Sequence, residues 1–265
     1  MKTNLKLSKV ATIDIGSNAI RLLISNVFEI KGVKYHTKNS LYRVQLRLGD
    51  DSFKYGTLSE KNYGKLKSTL KSFKLILEIN EIKKYLAYAT SAMRNLNNGE
   101  KILMSLEKET GIKVKIISGK KESEIVAKND ISSHIGKTKN YCFIDVGGGS
   151  TEVIIYKKNT FYKSKSFKIG GVRLINGLVT DSTWNDFKIW LETNAVELKK
   201  FKNTLDKLEK MSYQKKLIKL KLNPDRIDVI HPAGRIYYFL LKTLSIKEIY
   251  VPKIGLADGM VSEII

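Results

Sequence analysis

Ile13-Asp14-Ile15-Gly16-Ser17-Asn18 and Ile144-Asp145-Val146-Gly147-Gly148-Gly149-Ser150 share one pattern. Each runs from an apolar strand through an aspartate and one apolar residue into a glycine turn, and a second apolar run follows. Two such units in one chain indicate an internal duplication. Glycine lets backbone N–H groups approach and point at phosphate oxygens, and an aspartate ending the strand can hold a hydrated Mg2+. A hairpin turn with a capping aspartate accounts for one copy alone. Two copies, the second with three consecutive glycines, point instead to facing loops that grip a phosphate chain from both sides of a cleft.

Outward from the first copy, the chain reads as a β-meander: strands at 10–15, 20–28, 35–36 and 43–48, with Lys31-Gly32 as a turn. Ser59 is an N-cap for a helix to about residue 80, with Leu66, Leu70, Phe73 and Leu77 on one face. A strand at 85–89, a helix at 99–110 ended by Gly111, and a strand at 114–117 come next. After a helix over 120–133 the layout restarts, with strands at 141–146, 152–156 and 161–168 around the second glycine loop. The lysine-rich stretch 183–210 is helical, and Trp184, Phe187, Leu191, Ala195 and Leu198 form its core stripe. A strand at 227–230, a helix at 233–244, a strand at 248–251 and a short helix from 255 complete the reading. Strands followed by strand-helix alternation predict mixed α/β layers. The boundary is expected near 128–138, giving domains 1–128 and 129–265, with the last helix (about 255–265) packed back on the first domain.

The 265 residues suffice for two modest domains, each with its own core. The net charge of +22 invites a nucleic-acid reading, but only seven of the 48 basic residues are arginine and the lysines are spread along the chain. No dedicated nucleic-acid surface is expected; the lysines read as solvated faces, with a field that helps collect a polyanion. The single cysteine, Cys142, excludes an internal disulfide and a cysteine metal cluster, and reads as a small core residue. His36, His134 and His231 lack metal-ligand spacing, and His231 before Pro232 reads as a strand end. Asp14 interrupts the first apolar stretch, and no run approaches the roughly 20 residues a bilayer needs. A cytoplasmic protein without a membrane partner is expected.

Further segments carry a resemblance: Ala89-Thr90-Ser91-Ala92-Met93-Arg94, Ile117-Ser118-Gly119-Lys120-Lys121-Glu122, Asp145 through Glu152, Gly170-Gly171-Val172-Arg173-Leu174, Asp225-Arg226-Ile227-Asp228-Val229-Ile230 and Gly255-Leu256-Ala257-Asp258-Gly259-Met260. Together with Asp14 to Asn18, in this order and over nearly the whole chain, they resemble the exopolyphosphatase and guanosine pentaphosphate phosphohydrolase family. The resemblance implies an α/β protein of two ribonuclease-H-like (actin-like ATPase) domains, with mixed sheets flanked by helices and a cleft between them. It implies a hydrolase that removes the terminal phosphate of inorganic polyphosphate or the 5′ γ-phosphate of guanosine pentaphosphate. Glu122 matches the family's catalytic glutamate, the base for the attacking water. Asp145, Glu152 and Asp14 surround Mg2+ on this reading, and Gly16, Ser17, Asn18, Gly147, Gly148, Gly149, Ser150 and Arg94 contact substrate. Asp145 and Glu152 are seven residues apart, which lets both face one cation. Arg94 offers a fork for phosphate and transition-state charge; Arg173 and Asn18 are weaker candidates.

The chain departs from the family at Lys121, where a carboxylate usually precedes the catalytic one, and near 200–211, where a glycine-glycine-threonine-like loop is expected and not found. A short two-domain form is therefore expected, with a homodimer left open. The alternative is a binding protein that keeps the loops and has lost turnover. A kinase of the same fold would need an adenosine pocket, usually built by the missing loop.

Overall fold

A computed structural model describes residues 7–129, 140–158, 160–192, 200–220, 222, 224–243 and 255–265. The meander is realised as β1 (Leu7–Ile15), β2 (Ala19–Ile30) and β3 (Val33–Gln45), each antiparallel to the next. The two strands expected at 35–36 and 43–48 are one long strand, and Leu48 already belongs to helix α1 (Leu48–Tyr55). Two acidic residues, Asp50 and Asp51, occupy the first turn of α1, where the helix dipole favours them. Ser59 caps α2 (Glu60–Ile79) by accepting from Asn62 N, and Leu66, Leu70, Phe73 and Leu77 are buried. Then come β4 (Tyr85–Ala89), α3 (Ser91–Asn95), α4 (Gly99–Thr110), β5 (Lys115–Ile116) and α5 (Gly119–Ala127). Gly111 ends α4 in the left-handed conformation, which costs glycine nothing.

These strands form one sheet in the order β3-β2-β1-β4-β5. β4 runs parallel to β1 and β5 parallel to β4, so the sheet is mixed, as strand-helix alternation after a meander requires. β1 lies at the centre, and its last six residues are buried on both faces. One core cluster joins its face to Leu66, Leu70 and Phe73 of α2 and to Leu103 and Leu106 of α4.

The second glycine loop sits between β6 (Tyr141–Val146) and β7 (Thr151–Lys157), and β8 (Thr160–Phe167) pairs with β7. Over these described strands the second sheet is antiparallel throughout. Then follow α6 (Gly171–Ile175), α7 (Asp181–Glu192), α8 (Lys200–Lys210), α9 (Tyr213–Lys219), α10 (Pro224–Ile227), α11 (Ile230–Thr243) and α12 (Leu256–Ile264). Phe167, Phe187, Leu191, Ile236 and Leu240 form the core beneath this sheet, with Trp184 and Trp190 against it. Cys142 packs at its edge, and burial pushes its thiol up to about 12.

The strand expected at 227–230 is absent. Ile227 ends α10, a turn follows, and Ile230 opens α11, so His231 lies in a helix rather than at a strand end. Both prolines permit this: Pro224 starts α10 and Pro232 falls in the first turn of α11, positions where a helix needs no N–H. In the departure region α8 packs on α11 through Leu205, and a Cβ on Gly234 would come within 2.6 Å of that leucine. Ala195, Leu198, His134, the strand at 248–251 and the end of the helix expected to 133 lie outside the described residues. α12 lies against β1 and β2: Ala257 and Val261 pack on Val10, Leu23 and Val27, and Thr12 Oγ1 donates to Ala257 O at 2.8 Å. No helix among the described residues is long and apolar enough to cross a membrane.

Candidate active site

The two glycine loops are matched residue for residue. Gly16 N donates to Ala19 O at 3.1 Å, and Gly147 N donates to Ser150 O at 2.9 Å. In the ladders they close, Asp14 stands opposite Arg21 and Asp145 opposite Glu152. Residues directly opposite on an antiparallel pair present their side chains to the same face, so each hairpin offers a pair. The pairs differ in charge. Asp14 accepts from Arg21 Nη1 at 2.8 Å, whereas Asp145 and Glu152 are two carboxyls side by side.

The loop tips touch. A Cβ on Gly148 would lie 3.0 Å from Ser17 Cβ, and one on Gly149 would lie 2.9 Å from Ser17 Oγ while overlapping Phe53 and Ser91. Close approach, not a special φ, is what requires glycine there. Ser17 Oγ in turn pairs with Ser91 Oγ at 2.8 Å. The phosphate-sized space therefore lies beside the contact and not between the tips, and part of it is a cavity of about 500 Å³. Asp14, Glu122, Asp145 and Glu152 all line it, together with Gly16, Ser17, Asn18, Gly147, Gly148 and Ser150.

Glu122 reaches the cavity because of its phase on α5. Ser118 caps that helix by accepting from Lys121 N at 3.1 Å, and Glu122, Ile125 and Val126 turn inward at helical spacing. Lys121 points away and bonds Glu263 of α12 at 2.6 Å, so the residue replacing the family's first carboxylate is engaged outside the cavity. Arg94, on α3, donates to Ile117 O and lies 3.4 Å from Glu122 Oε2.

Burial without enough compensating cations raises these carboxyls. Burial lifts Glu122 well above its ordinary value, helped by Glu152 and opposed by Arg94. Glu152 is raised to about 7, first by burial and then by Asp145, against the Ser166 hydroxyl that donates to it at 2.8 Å. Asp145 rises to about 6 through burial, with Arg21 opposing and Asp14 adding. Asp14 is raised by burial too, against the pull of Arg21.

An all-oxygen set of buried, mutually repelling carboxyls suits a hard dication. Among the described residues no three His, Cys, Asp or Glu side chains form a metal-holding group. Mg2+ commonly takes one or two carboxylates and completes its shell with water and substrate phosphate, so this donor set fits it.

Asn18 and Arg94 line different cavities, and Gly149 lines the second with Arg94, while Ser91 and Ser150 line both. Asn18 Oδ1 accepts from Arg47, whose guanidinium also forks onto Asp228 at 2.6 and 2.9 Å, tying the first loop to the turn after α10. Ser91, Ser166 and Arg21 escaped the sequence reading as site residues. The spacing signal existed for Arg21, which follows Asp14 by the same seven residues that separate Glu152 from Asp145. Arg173, a weaker sequence candidate, is nine-tenths buried: Nε donates to Gly149 O at 2.8 Å and the guanidinium stacks 3.9 Å from the Phe53 ring centroid.

A sequence profile described as the Ppx/GppA phosphatase family matches residues 27–188. A bifunctional 3-dehydroquinate synthase/phosphatase of Fusobacterium nucleatum is 35% identical over 205 residues, covering 72% of this chain and 31% of that protein. Exopolyphosphatase 1 of Mycobacterium bovis is 30% identical over 148 residues, 55% of this chain and 41% of that one. The chain thus spans less than half the length of either curated relative. Among solved structures, an exopolyphosphatase from Cytophaga hutchinsonii superposes with a TM-score of 0.79 at 21% identity, over 96% of this chain and 97% of that one. The Aquifex aeolicus member of the Ppx/GppA family does so with a TM-score of 0.75 at 21% identity, over 97% of each chain. These likenesses establish the fold.

Proposed function

The chain belongs to the Ppx/GppA phosphatase family, and from that premise we propose that its cleft hydrolyses the terminal phosphoanhydride of inorganic polyphosphate or the 5′ γ-phosphate of guanosine pentaphosphate. The observation that carries the reading is the convergence of Asp14, Glu122, Asp145 and Glu152 on one cavity walled by both glycine loops.

Glu122 is the base. Its burial holds the carboxyl above the usual range, which makes it a stronger base than a solvated carboxylate. It accepts a proton from water as the water oxygen bonds to the terminal phosphorus. The bridging P–O bond breaks, and its electron pair leaves on the shortened chain or the nucleotide. Backbone N–H groups of the second loop, with Ser150, face the terminal phosphoryl oxygens. Arg94, released from Glu122 by an entering phosphate, offsets the charge that develops. Asp145 and Glu152, with Asp14 behind them, are the residues to hold Mg2+, which when bound supplies charge neutralisation at the phosphoryl oxygens.

Phosphate release by the purified protein from polyphosphate and from guanosine pentaphosphate tests this. Wild type should turn over at least one of them in Mg2+, and Glu122→Gln should lower kcat by about 10²- to 10⁴-fold. Equal rates for the two proteins would remove Glu122 from the mechanism. Tight binding by wild type without release would replace hydrolysis by binding.

A further inference from the structure

Glu263, near the end of α12, gathers three donors from α5 and β4. Its Oε1 accepts from Lys121 Nζ at 2.6 Å and from Lys128 Nζ at 2.8 Å, and its Oε2 accepts from Tyr88 OH at 3.0 Å. The Glu263 side chain is only 11% exposed, whereas the two lysines reach it from solvent. An isolated surface pair contributes little, but a mostly buried carboxylate shared by three donors is a network that fixes geometry.

Each element it joins carries part of the candidate site. Lys121 immediately precedes Glu122, and Lys128 follows the last residue of α5, so the two lysines stand seven residues apart on one face and hold the helix at both ends. Tyr88 lies beside Asp14 in the β1–β4 ladder. The first turn of α12, Gly255 to Asp258, lines the carboxylate cavity. Four residues before Glu263, Gly259 sits against the Ile125 carbonyl, which an added Cβ would strike, so α12 and α5 meet backbone to backbone. The apolar part of that contact, Leu256 and Met260 on Ile125 and Val126, is non-directional and does not by itself fix the roll of α5 about its axis. Roll matters here. Helical side chains end about 5–6 Å from the axis, so a roll of about 10° carries the Glu122 carboxylate through about 1 Å. A misplacement of that size costs up to about 100-fold in rate.

We propose that Glu263 is a positioning residue for Glu122: by bridging Lys121 and Lys128 of α5 to Tyr88 of β4, it sets the roll of the helix that aims the Glu122 carboxylate at the attacking water. The role rests on the phosphohydrolase reading above and deepens it. Neither Glu263 nor any of its three partners lines the cavity, so Glu263 acts through α5 and not on the substrate. Lys121, the departure from the family pattern, is then a matched partner: a carboxylate at that position would stand against Glu263.

Steady-state phosphate release, with the melting temperature of each protein measured beside it, tests the role. Lys121→Glu sets two carboxylates against each other and should lower kcat about tenfold while changing KM less than about twofold. Lys121→Glu/Glu263→Gln removes that repulsion and should bring kcat back to within about threefold of wild type. Lys83→Glu makes the same change of charge on an exposed lysine at the remote 80–84 edge and should leave kcat in place. A Lys121→Glu protein as fast as wild type or faster overturns the proposal, and so does a double variant no faster than Lys121→Glu. An equal loss in Lys83→Glu would assign the effect to the protein's overall field and refute the positioning role. Lower melting temperatures with kcat unchanged would make Glu263 a structural anchor only. A wild type that releases no phosphate removes the hydrolase reading and this role with it, whereas an active wild type indifferent to these changes removes the role alone.

Discussion

The two glycine hairpins are the same backbone device with opposite electrostatics. Both turn from an aspartate through a glycine whose N–H closes on the carbonyl three residues later, and both set a side chain seven residues on against the aspartate. In the first hairpin that side chain is Arg21, and the pair is neutral. In the second it is Glu152, and like charges directly opposite on a ladder are destabilising. The first hairpin is thus complete within the protein, while the second is completed only by a cation or by protons. The geometry is the same in both copies, and one change of charge separates them.

The largest effect should come from making the second copy like the first. Glu152→Arg places a guanidinium opposite Asp145, in the relation Arg21 has to Asp14. We expect phosphate release to fall by about 10³-fold or more, since both a cation ligand and the local negative charge disappear. The metal-free variant should unfold at no lower a temperature than wild type at pH 7. Substantial turnover by this variant would show that the second pair is not where the chemistry is held.

Next is the pH dependence of stability in metal-free buffer. Asp145 and Glu152 are raised in the fold to about 6 and about 7, so the native state holds protons that the unfolded chain gives up near pH 4. Stability should therefore be full below about pH 4 as far as these groups go, and decline as pH rises from there to about 7, by on the order of 3 kcal/mol for Glu152 alone. Glu152→Gln should flatten that decline, and saturating Mg2+ should reverse it at pH 7. Melting curves across the range read all three; a metal-free protein whose stability rises over this window would contradict the contrast between the hairpins.

Arg21→Gln makes the converse change and should cost less. Asp14 is buried and Arg21 is partly exposed, so what is lost is the compensation of one buried carboxylate, about 2 kcal/mol or a fall of roughly 5 °C in Tm at pH 7. The deficit should shrink as pH falls, because a protonated Asp14 needs no partner. A loss that stays constant down to pH 4 would mean that Arg21 acts through packing and not through charge.

Much of this contrast was legible in the sequence. The aspartate-glycine repeat marks both turns, and the apolar runs beside it lead to β1, β2, β6 and β7, of which β1, β2 and β7 lie inside their sheets and need apolar residues on both faces. Glu122 could be placed near a helix start because the helix read over 120–133 begins two residues before it. What the sequence concealed depends on three-dimensional neighbours. Arg173 read as a minor substrate contact because nothing local shows that Phe53, from another helix, covers it. The residues Ile227 to Ile230 read as a strand since Val and Ile favour strands, yet the prolines on either side and packing by α8 and α11 settle them into helix ends. The touching loop tips were equally hidden, for a glycine kept by close approach looks in sequence like one kept by φ.

The smallest expected effect bears on the geometry alone. Gly16 and Gly147 occupy the same place in the two turns: an added Cβ would meet Ala19 O at 3.1 Å in the first and Ser150 O at 3.2 Å in the second. Neither glycine has a left-handed φ, so alanine is allowed by the backbone and only that close contact resists it. Gly16→Ala and Gly147→Ala should each cost about 0.5–1 kcal/mol, and should cost the same to within about 0.5 kcal/mol, since the neighbour must yield by only a few tenths of an ångström. Their effects on turnover should diverge, because the Gly147 turn positions Ser150 and the like-charged pair, whereas the Gly16 turn carries a pair already neutralised. Unequal stability losses would break the structural equivalence of the hairpins. Equal losses with equal turnover would show that the first loop takes as direct a part in the reaction as the second, and that Arg21 does not set it apart.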